Sequence, residues 1–161
     1  MSNPQLVMYD EEAKQISAII DRLTKEANAK VVFVVDKNGQ LISSSGETAG
    51  LDTTSLASLT AGNIAATGGL AKLIGEKEFS ILFHEGEKDN LHISIIAQRV
   101  ILVVIFGSQS SLGLVRLRVK KVSEELAKIF ESLARKAEAE AESGDSPFAE
   151  ITDDDIDNLF N

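Results

Sequence analysis

The sequence predicts an α+β domain in which helices cover both faces of a five-stranded antiparallel sheet. Amphipathic helices are predicted near both ends of the domain, and β-branched strands joined by tight turns lie between them. A nearly uncharged helix divides these strands into a group of two and a group of three. The predicted order is α-β-β-α-β-β-β-α. Five antiparallel strands cannot bury both faces alone, so helices are expected on either side of one sheet. A length of 161 residues with 43% hydrophobic content suits one domain with a core.

The first helix and the hairpin after it follow from local patterns. The helix is predicted over residues 9–28, where apolar side chains recur at alternating spacings of three and four. Residues 31–35 then form a β-branched and aromatic strand, and residues 40–44 form its returning partner. Asn38-Gly39 supplies the tight turn between them, in which both central residues are expected to have positive φ. The helical stripe consists of Ala13, Ile16, Ile20, Leu23 and Ala27.

Three further strands are predicted in the second half of the domain. They are short runs separated by turn residues, which is typical of an antiparallel meander. The strands are residues 78–85, 90–97 and 100–107, and the turns are residues 86–89 and 98–99.

The second helix, predicted from Thr53 to Ile74, has an unusually small and uncharged outer face. Lys72 is its only charged residue, and its three glycines each cost about 1 kcal/mol relative to alanine in a helix interior. Ordinary exposed helices favour charged residues, so this pattern predicts a protein interface. A merely tolerant surface, or glycines that contact the protein's own sheet, are the alternatives. The predicted core stripe is Leu56, Leu59, Ala66, Leu70, Leu73 and Ile74, and the predicted outer face is Ser58, Ala61, Ala65, Gly68, Gly69 and Lys72.

The net charge of -9 is concentrated at the C-terminus. Nine of the 25 acidic residues lie in residues 137–161, which contain no lysine or arginine, so the remaining 16 acids balance the 16 bases of the chain. We therefore divide the chain into a neutral domain, residues 1–137, and an acidic tail, residues 138–161.

The acidic tail contains a short amphipathic motif. Thr152 can cap a helix over residues 152–160, whose first turn holds three aspartates that suit the helix dipole. The apolar side chains are too few to form a core, so the motif is a candidate ligand for a groove on a partner. A solvated tail that promotes solubility is the alternative. The predicted docking residues are Phe148, Ile151, Ile156, Leu159 and Phe160.

The last helix, predicted over residues 114–137, carries a basic patch near its start. The patch is a candidate site for the acidic tail of the same chain or for an acidic partner. A solvated helix face explains the four cations about equally well. The buried seam of this helix is predicted at Val115, Val119, Val122, Leu126, Ile129 and Leu133, and the basic patch is Arg116, Arg118, Lys120 and Lys121.

Motifs for catalysis are scarce. The chain has no cysteine, which excludes a disulfide framework, a thiolate nucleophile and a cysteine metal site. It also lacks a G-x-x-x-x-G-K-[ST] phosphate loop and a G-x-S-x-G nucleophile turn. His84 and His92 are the only histidines, and no third ligand has a suitable spacing to them, so a zinc site ranks last. Arg99, on a turn, could act in trans on a nucleotide, although a turn arginine is ordinarily only solvated. We expect no catalytic residue, metal or cofactor.

Composition also limits the partners and the location. An acidic chain of this kind is a poor ligand for nucleic acid. The longest strongly apolar run, residues 100–106, is far shorter than the roughly 20 residues that cross a bilayer. Residues 1–10 lack the basic and apolar regions of a secretory signal. A soluble, cytoplasmic protein with protein partners is therefore expected.

Several stretches of the sequence resemble a known family. The strand-turn-strand VVFVVDKNGQLISS and the following LDTTSLASLTAGNIAATGGLAKLIG resemble the Roadblock/LC7 family, whose elements also occur in the predicted order. LVMY near the start, SLGLVRLR in the last helix and SPFAEITDDDIDNLF at the end are similar to a bacterial branch of this family that regulates a Ras-like polarity GTPase. The resemblance covers nearly the whole chain. The tail is its most specific part, because Roadblock domains in general lack it.

The resemblance implies a homodimer whose protomers join sheet to sheet. The two second helices would lie side by side as a platform for one small GTPase, so two copies of this chain would engage each GTPase. The predicted outer face falls where the family has that platform. The implied activity is acceleration of GTP hydrolysis, by rearranging the GTPase until its own arginine and glutamine reach the phosphate, without Arg99. The tail would dock on a separate surface of the GTPase and tune nucleotide affinity or exchange.

Three functions remain open at this point. The leading interpretation is a GTPase-activating co-protein that controls cell polarity and gliding motility and is concentrated at a cell pole. The second is a non-catalytic adaptor that uses the same platform to hold a small GTPase or another polarity protein. The third, a small metalloenzyme using His84 and His92, ranks last.

Overall fold

The computed structural model describes residues 8–143, and their elements follow the predicted order α-β-β-α-β-β-β-α. The five strands form one antiparallel sheet in the order β2-β1-β5-β4-β3. The predicted fold class is therefore confirmed. The helices are α1 (Asp10–Glu26), α2 (Thr53–Leu73) and α3 (Leu112–Ser143), and the strands are β1 (Val31–Asp36), β2 (Leu41–Gly46), β3 (Ile81–Glu85), β4 (Asn90–Ile96) and β5 (Val100–Phe106).

Helices α1 and α3 cover one face of the sheet. Their apolar stripes meet the alternate side chains of β1 and β5 that point to this face, such as Val34 and Leu102. Most of the predicted stripe of α1 and seam of α3 is buried here, as expected from the helical spacing. Ile129 is only half-buried, and the adjacent Phe130 is fully buried instead. The helical residues of this core are Ile16, Ile20, Leu23, Val115, Val119, Val122, Leu126, Phe130 and Leu133.

Helix α2 covers the opposite face of the sheet and forms a smaller core. The side chains on this face of β1 and β5, including Phe33 and Val103, pack against Ala57 of α2. Every residue of β1 is buried because helices lie on both of its sides. The sheet is thus enclosed between α1 and α3 on one face and α2 on the other.

The first hairpin turn differs from the prediction. Gly39 has a φ of +92°, but Asn38 does not have a positive φ. The buried carboxylate of Asp36 holds the turn instead, since its Oδ1 accepts hydrogen bonds from the backbone N–H groups of Asn38 and Gln40, both at 2.9 Å. The prediction of two central residues with positive φ was therefore wrong, because an aspartate side chain replaces part of the backbone hydrogen bonding.

The turn between β4 and β5 lies one residue earlier than predicted. Ala97 and Gln98 are its two residues with positive φ, at 53° and 57°. The N–H of Arg99 donates to the carbonyl of Ile96 at 3.0 Å and closes the turn. Arg99 therefore follows the tight turn and does not form its centre.

Contacts between the start of α1 and the end of α3 fasten the two helices together. Helix α3 continues past its predicted end at Ala137 to Ser143. Lys136 pairs with the buried Glu12 and lies 5.3 Å above the ring of Tyr9. The hydroxyl of Tyr9 donates to Glu140. The first acids after residue 137 therefore belong to the surface of α3.

Candidate functional site

The side of α2 that points away from the sheet is strongly apolar. Leu59, Leu70 and Leu73 are 72%, 56% and 84% exposed, and Ile74 after the helix is 64% exposed. Large apolar side chains at such exposure on one helix are unusual unless a partner covers them. We call this surface the exposed apolar face of α2; it consists of Leu59, Gly62, Ala66, Gly69, Leu70 and Leu73.

The predicted core stripe of α2 was wrong. Only Leu56 of that stripe packs partly against the core; Leu59, Ala66, Leu70, Leu73 and Ile74 are exposed. Small side chains pack on the sheet instead, because they allow the helix backbone to lie close to the strands. The residues of α2 that face the sheet are Ala57, Thr60, Ala61, Ile64 and Ala71.

The predicted outer face divides into two parts. Ser58, Ala65, Gly69 and Lys72 are exposed. Ala61 and Gly68 are half-buried, and Ala61 packs against the core beneath α2. Gly69 belongs to the exposed apolar face of α2, and Ser58, Ala65 and Lys72 lie beside that face. Together these residues form one continuous surface of α2 on which Lys72 is the only charged side chain.

The glycines of α2 are not required by packing inside this chain. A Cβ atom added at Gly62, Gly68 or Gly69 would meet no atom within 4 Å. The alternative that these glycines allow contact with the protein's own sheet is therefore excluded. Their helix-propensity cost, about 1 kcal/mol each relative to alanine, has no compensation among the described residues.

Two local features fix the position of α2. Asp52 caps the helix, accepting hydrogen bonds from the N–H of Ser55 at 3.1 Å and from its hydroxyl at 2.6 Å. These hydrogen bonds lower the pKa of the Asp52 carboxyl. At the sheet, a Cβ on Gly39 would lie 3.3 Å from the Cα of Ser58, so the first hairpin turn approaches the helix closely. The exposed surface is thus held on a fixed support.

Strand β3 forms one edge of the sheet and borders α2. Its outer side has no neighbouring strand among residues 8–143. Ile81 and Phe83 are exposed on it, and His84 Nε2 lies 3.4 Å from Asn63 Nδ2 of α2. Exposed edge strands with apolar side chains readily pair with another chain. An open strand edge and an apolar helix face therefore lie next to each other.

The two histidines lie on opposite faces of the sheet. His84 pairs in register with Leu91 and points to the α2 side, whereas His92 pairs with Phe83 and points to the α1 and α3 side. They cannot share a metal ion. No group of three or more potential metal ligands occurs in the part of the chain that the structure describes.

Helical geometry divides the predicted basic patch. Arg118 turns toward α1, where it lies 3.8 Å from Glu26. Arg116 and Lys120 are exposed on the other side of α3, beside β4, and Lys121 is exposed to solvent. The four cations therefore do not form one continuous patch.

Arg99 lies in the connection between β4 and β5 and not on α2, and the predicted tail residues lie outside the described residues. Arg99 is exposed near the end of the sheet that carries the first hairpin turn, since the following Val100 pairs with Asp36. No helix within residues 8–143 is long and apolar enough to cross a membrane. The tail docking residues Phe148, Ile151, Ile156, Leu159 and Phe160 lie outside the described residues.

Comparison with known proteins agrees with this architecture. The Roadblock/LC7 domain family matches residues 16–106, which extend from α1 to the end of β5. A comparison with curated proteins gives no match.

Solved structures of MglB are similar to this chain over most of their length. Myxococcus xanthus MglB is 71% identical, with a TM-score of 0.76, over 80% of this chain and 96% of that one. The gliding protein mglB from Thermus thermophilus is 31% identical, with a TM-score of 0.75, over 81% of this chain and 99% of that one. A further MglB, described as having a tetrameric arrangement, is 30% identical, with a TM-score of 0.76, over 82% and 99% of the two chains.

Proposed function

Because the chain belongs to the Roadblock/LC7 family, we propose that it is an MglB-type regulator that stimulates GTP hydrolysis by a Ras-like small GTPase of the MglA type. The exposed apolar face of α2 is the observation that carries this proposal. In that role the chain controls cell polarity and gliding motility, acts in the cytoplasm and is concentrated at a cell pole.

The exposed apolar face of α2 supports binding of a protein. Leu59, Leu70 and Leu73 offer buriable area, and the adjacent glycines let a second backbone approach closely. Lys72 is the only charge of the helix, so little desolvation opposes binding. We propose as GTPase-binding residues the predicted Ser58, Ala61, Ala65, Gly68, Gly69 and Lys72, together with the exposed Leu59, Leu70 and Leu73.

A homodimer would double this surface. Strand β3 has a free edge next to α2, and pairing of two such edges would join two sheets and bring two copies of α2 together. One GTPase would then contact two copies of this chain. The similar MglB with a tetrameric arrangement supports assembly of such chains into oligomers.

The stimulation is positional. Binding on the α2 surface would favour the GTPase conformation in which its own arginine and glutamine contact the phosphate. Arg99 lies after a turn near the end of the sheet and takes no part in this contact. The chain therefore acts as a regulator of its partner's catalysis.

The acidic tail contributes a second contact. The sequence predicts a Roadblock/LC7 domain, residues 1–137, and a tail, residues 138–161, with a short docking helix over residues 152–160; because α3 continues to Ser143, we take the tail from residue 144. Its apolar side chains would dock on a separate surface of the GTPase and modulate nucleotide exchange. Its six acids beyond residue 143 suit a basic surface.

Hydrolysis of GTP by the partner GTPase, measured over many turnovers with and without this chain, tests the proposal. The proposal predicts a several-fold or larger increase in rate. Binding without any acceleration would identify the second candidate, a non-catalytic adaptor, which the same α2 surface also fits.

A further inference from the structure

A groove of about 470 Å³ lies between α3 and the outer part of the sheet. It is on the face that carries α1 and α3, opposite the exposed apolar face of α2. Its lining is largely apolar, with Ile81 from β3 and Val119 from α3. The proposed contact with a GTPase through α2 leaves this groove open.

Two buried polar side chains in the lining of the groove have no partner. His92 is 1% exposed and Ser94 is 4% exposed. Neither ring nitrogen of His92 nor the hydroxyl of Ser94 has a hydrogen-bond partner among the described residues. Buried polar groups in native proteins are nearly always hydrogen-bonded. These two polar side chains therefore lie beneath the surface of the groove without a partner among the described residues.

Two cations border the same groove. Arg116 and Lys120 lie one turn apart on α3 and line it from one side, together with the carboxylate of Glu124. Within residues 8–143, neither cation forms an ion pair. The groove thus combines an apolar floor with a net positive edge, which suits an acidic segment that carries apolar side chains.

The C-terminal segment of this chain has that chemistry. Residues 144–161 contain six acids, no lysine or arginine, and five large apolar side chains. Three of the apolar side chains, Ile156, Leu159 and Phe160, are interspersed with aspartate. Carboxylates can therefore reach the cations while apolar groups enter the groove.

Chain length decides which part of this segment can reach the groove. Helix α3 rises about 35 Å between Lys120 and Ser143. A fully extended chain advances at most about 3.3 Å per residue, so Phe148 reaches only about 17 Å from Ser143. Phe160 reaches about 56 Å when extended, or about 40 Å if residues 152–160 are helical. Residues from Asp154 onward satisfy this distance in a fully extended chain, and residues from about Ile156 onward satisfy it if residues 152–160 are helical.

We propose that the end of the tail, residues 156–161, docks in the groove of its own chain, with the carboxylate of Asp157 beside Arg116 and Lys120 and with Leu159 or Phe160 over Ile81 and Val119. The docked segment would cover His92 and Ser94. This contact does not require the GTPase. Its regulatory consequence rests on the proposed function: a docked tail cannot at the same time bind the GTPase, so the two contacts compete.

A spin label at the end of the tail tests this docking in the full-length protein. The chain contains no cysteine, so Asn161→Cys introduces a unique site for a nitroxide. Methyl NMR spectra would then report Ile81 and Val119. The proposal predicts that these methyl signals are lost while the nitroxide is oxidised and paramagnetic, and that they recover when the nitroxide is reduced. Signals that stay equally strong in both states would overturn it, without bearing on stimulation of the GTPase.

Two pairs of variants distinguish specific docking of the tail in the groove from random encounters between the spin label and the groove. Phe160→Ala should restore the groove signals, whereas Phe148→Ala should not, because residue 148 cannot reach. Arg116→Glu should restore them, whereas Lys128→Glu, an equal charge change on the α1 side of the same helix, should not. Equal effects within either pair would contradict the proposal.

Mixed dimers distinguish the chain's own groove from that of a second copy. One protomer carries the nitroxide and no isotope, and the other carries labelled methyls and no nitroxide. Docking within one chain predicts that the groove signals weaken less in this mixed dimer than in a dimer in which one protomer carries both labels. Equal or greater loss in the mixed dimer would assign the tail to a neighbouring chain and overturn the proposal.

Discussion

Leu70 and Ala71 are neighbours in α2, yet Leu70 is 56% exposed and Ala71 is fully buried. The larger apolar side chain thus points into solvent and the smaller one points at the sheet. The same inversion occurs along the helix, where Ala57 is buried and Leu59 is exposed. Folding of one chain gains little from these exposed leucines, whereas a partner that covered them would gain the free energy of burying their apolar surface.

Replacing Gly62 by alanine separates folding from binding. Nothing lies within 4 Å of the added Cβ, so helix propensity should raise the free energy of unfolding of the unbound chain by about 1 kcal/mol. The same methyl should weaken GTPase binding, because it separates the two backbones. Gly113→Ala in α3, where space is equally open, is the control and should leave binding unchanged. Unchanged affinity of Gly62→Ala, measured by calorimetry, would argue against close approach.

Arg99→Ala tests whether stimulation of GTP hydrolysis needs an arginine from this chain. Arg99 follows the β4–β5 turn near the end of the sheet, and the account gives it no contact with the nucleotide. The maximal rate of stimulated hydrolysis should be nearly that of the wild type. A loss of about 1,000-fold or more would indicate an arginine finger in trans.

Glu12→Gln tests the contact between α1 and α3. The hydrogen bond from Lys136 lowers the pKa of Glu12, so its stabilisation is present above the unfolded-state pKa of about 4.3 and is lost as the pH falls through the lower folded-state pKa. The variant should melt at a lower temperature than the wild type near neutral pH. This difference should vanish in strong acid. A difference in melting temperature that does not change with pH would contradict this assignment.

His92 predicts a second dependence of stability on pH. Here the charged, protonated form of the side chain is the one that the folded state disfavours, whereas for Glu12 it is the charged, deprotonated form that the folded state favours. Burial, and then the charge of Arg116, lower the pKa of His92, so the folded state keeps it neutral while the unfolded chain binds a proton below about pH 6.5. Stability should therefore decrease as the pH falls through that value. His92→Leu should reduce this slope in denaturant titrations, with His84→Leu as the control for loss of one histidine. An unchanged slope in His92→Leu would be inconsistent with a neutral buried imidazole.

The fold could be predicted because the apolar residues of the core between the sheet and the helices α1 and α3 recur at simple helical and strand spacings. The stripe of α1 and the seam of α3 contain large side chains at helical spacing, and both lie on the sheet. The buried strands β1 and β5 are continuous β-branched runs, as expected for strands between two helical layers. The family resemblance carried by the first hairpin and α2 is confirmed by the family match over residues 16–106.

The core face of α2 could not be predicted from hydrophobicity. Periodicity arguments assume that the largest apolar side chains face the core, but close packing on a sheet here selects Ala57, Thr60 and Ala71. The low charge of the helix still indicated an interface. The division of the basic patch follows from the 100° rotation per residue, which places Arg116 and Arg118 on different sides of α3.

The groove beside His92 was also not predicted. Both histidines are candidates for one metal site by sequence alone, but the register of β3 and β4 places them on opposite faces. Alternation along neighbouring strands was the signal that could have separated them: His84 is opposite Leu91, not His92.

Stimulation of a Ras-like GTPase through the exposed apolar face of α2 can be tested most directly with Gly69→Arg. The measurement is single-turnover GTP hydrolysis by the GTPase in the presence of this variant. Gly113→Arg is the matched control, since both glycines lie in helices and an added Cβ meets no atom within 4 Å at either site. Size-exclusion chromatography with light scattering would establish that both variants keep the oligomeric state of the wild type. Gly113→Arg should stimulate hydrolysis like the wild type, and Gly69→Arg should not stimulate it. Full stimulation by a correctly folded Gly69→Arg would show that the exposed apolar face of α2 is not the binding surface.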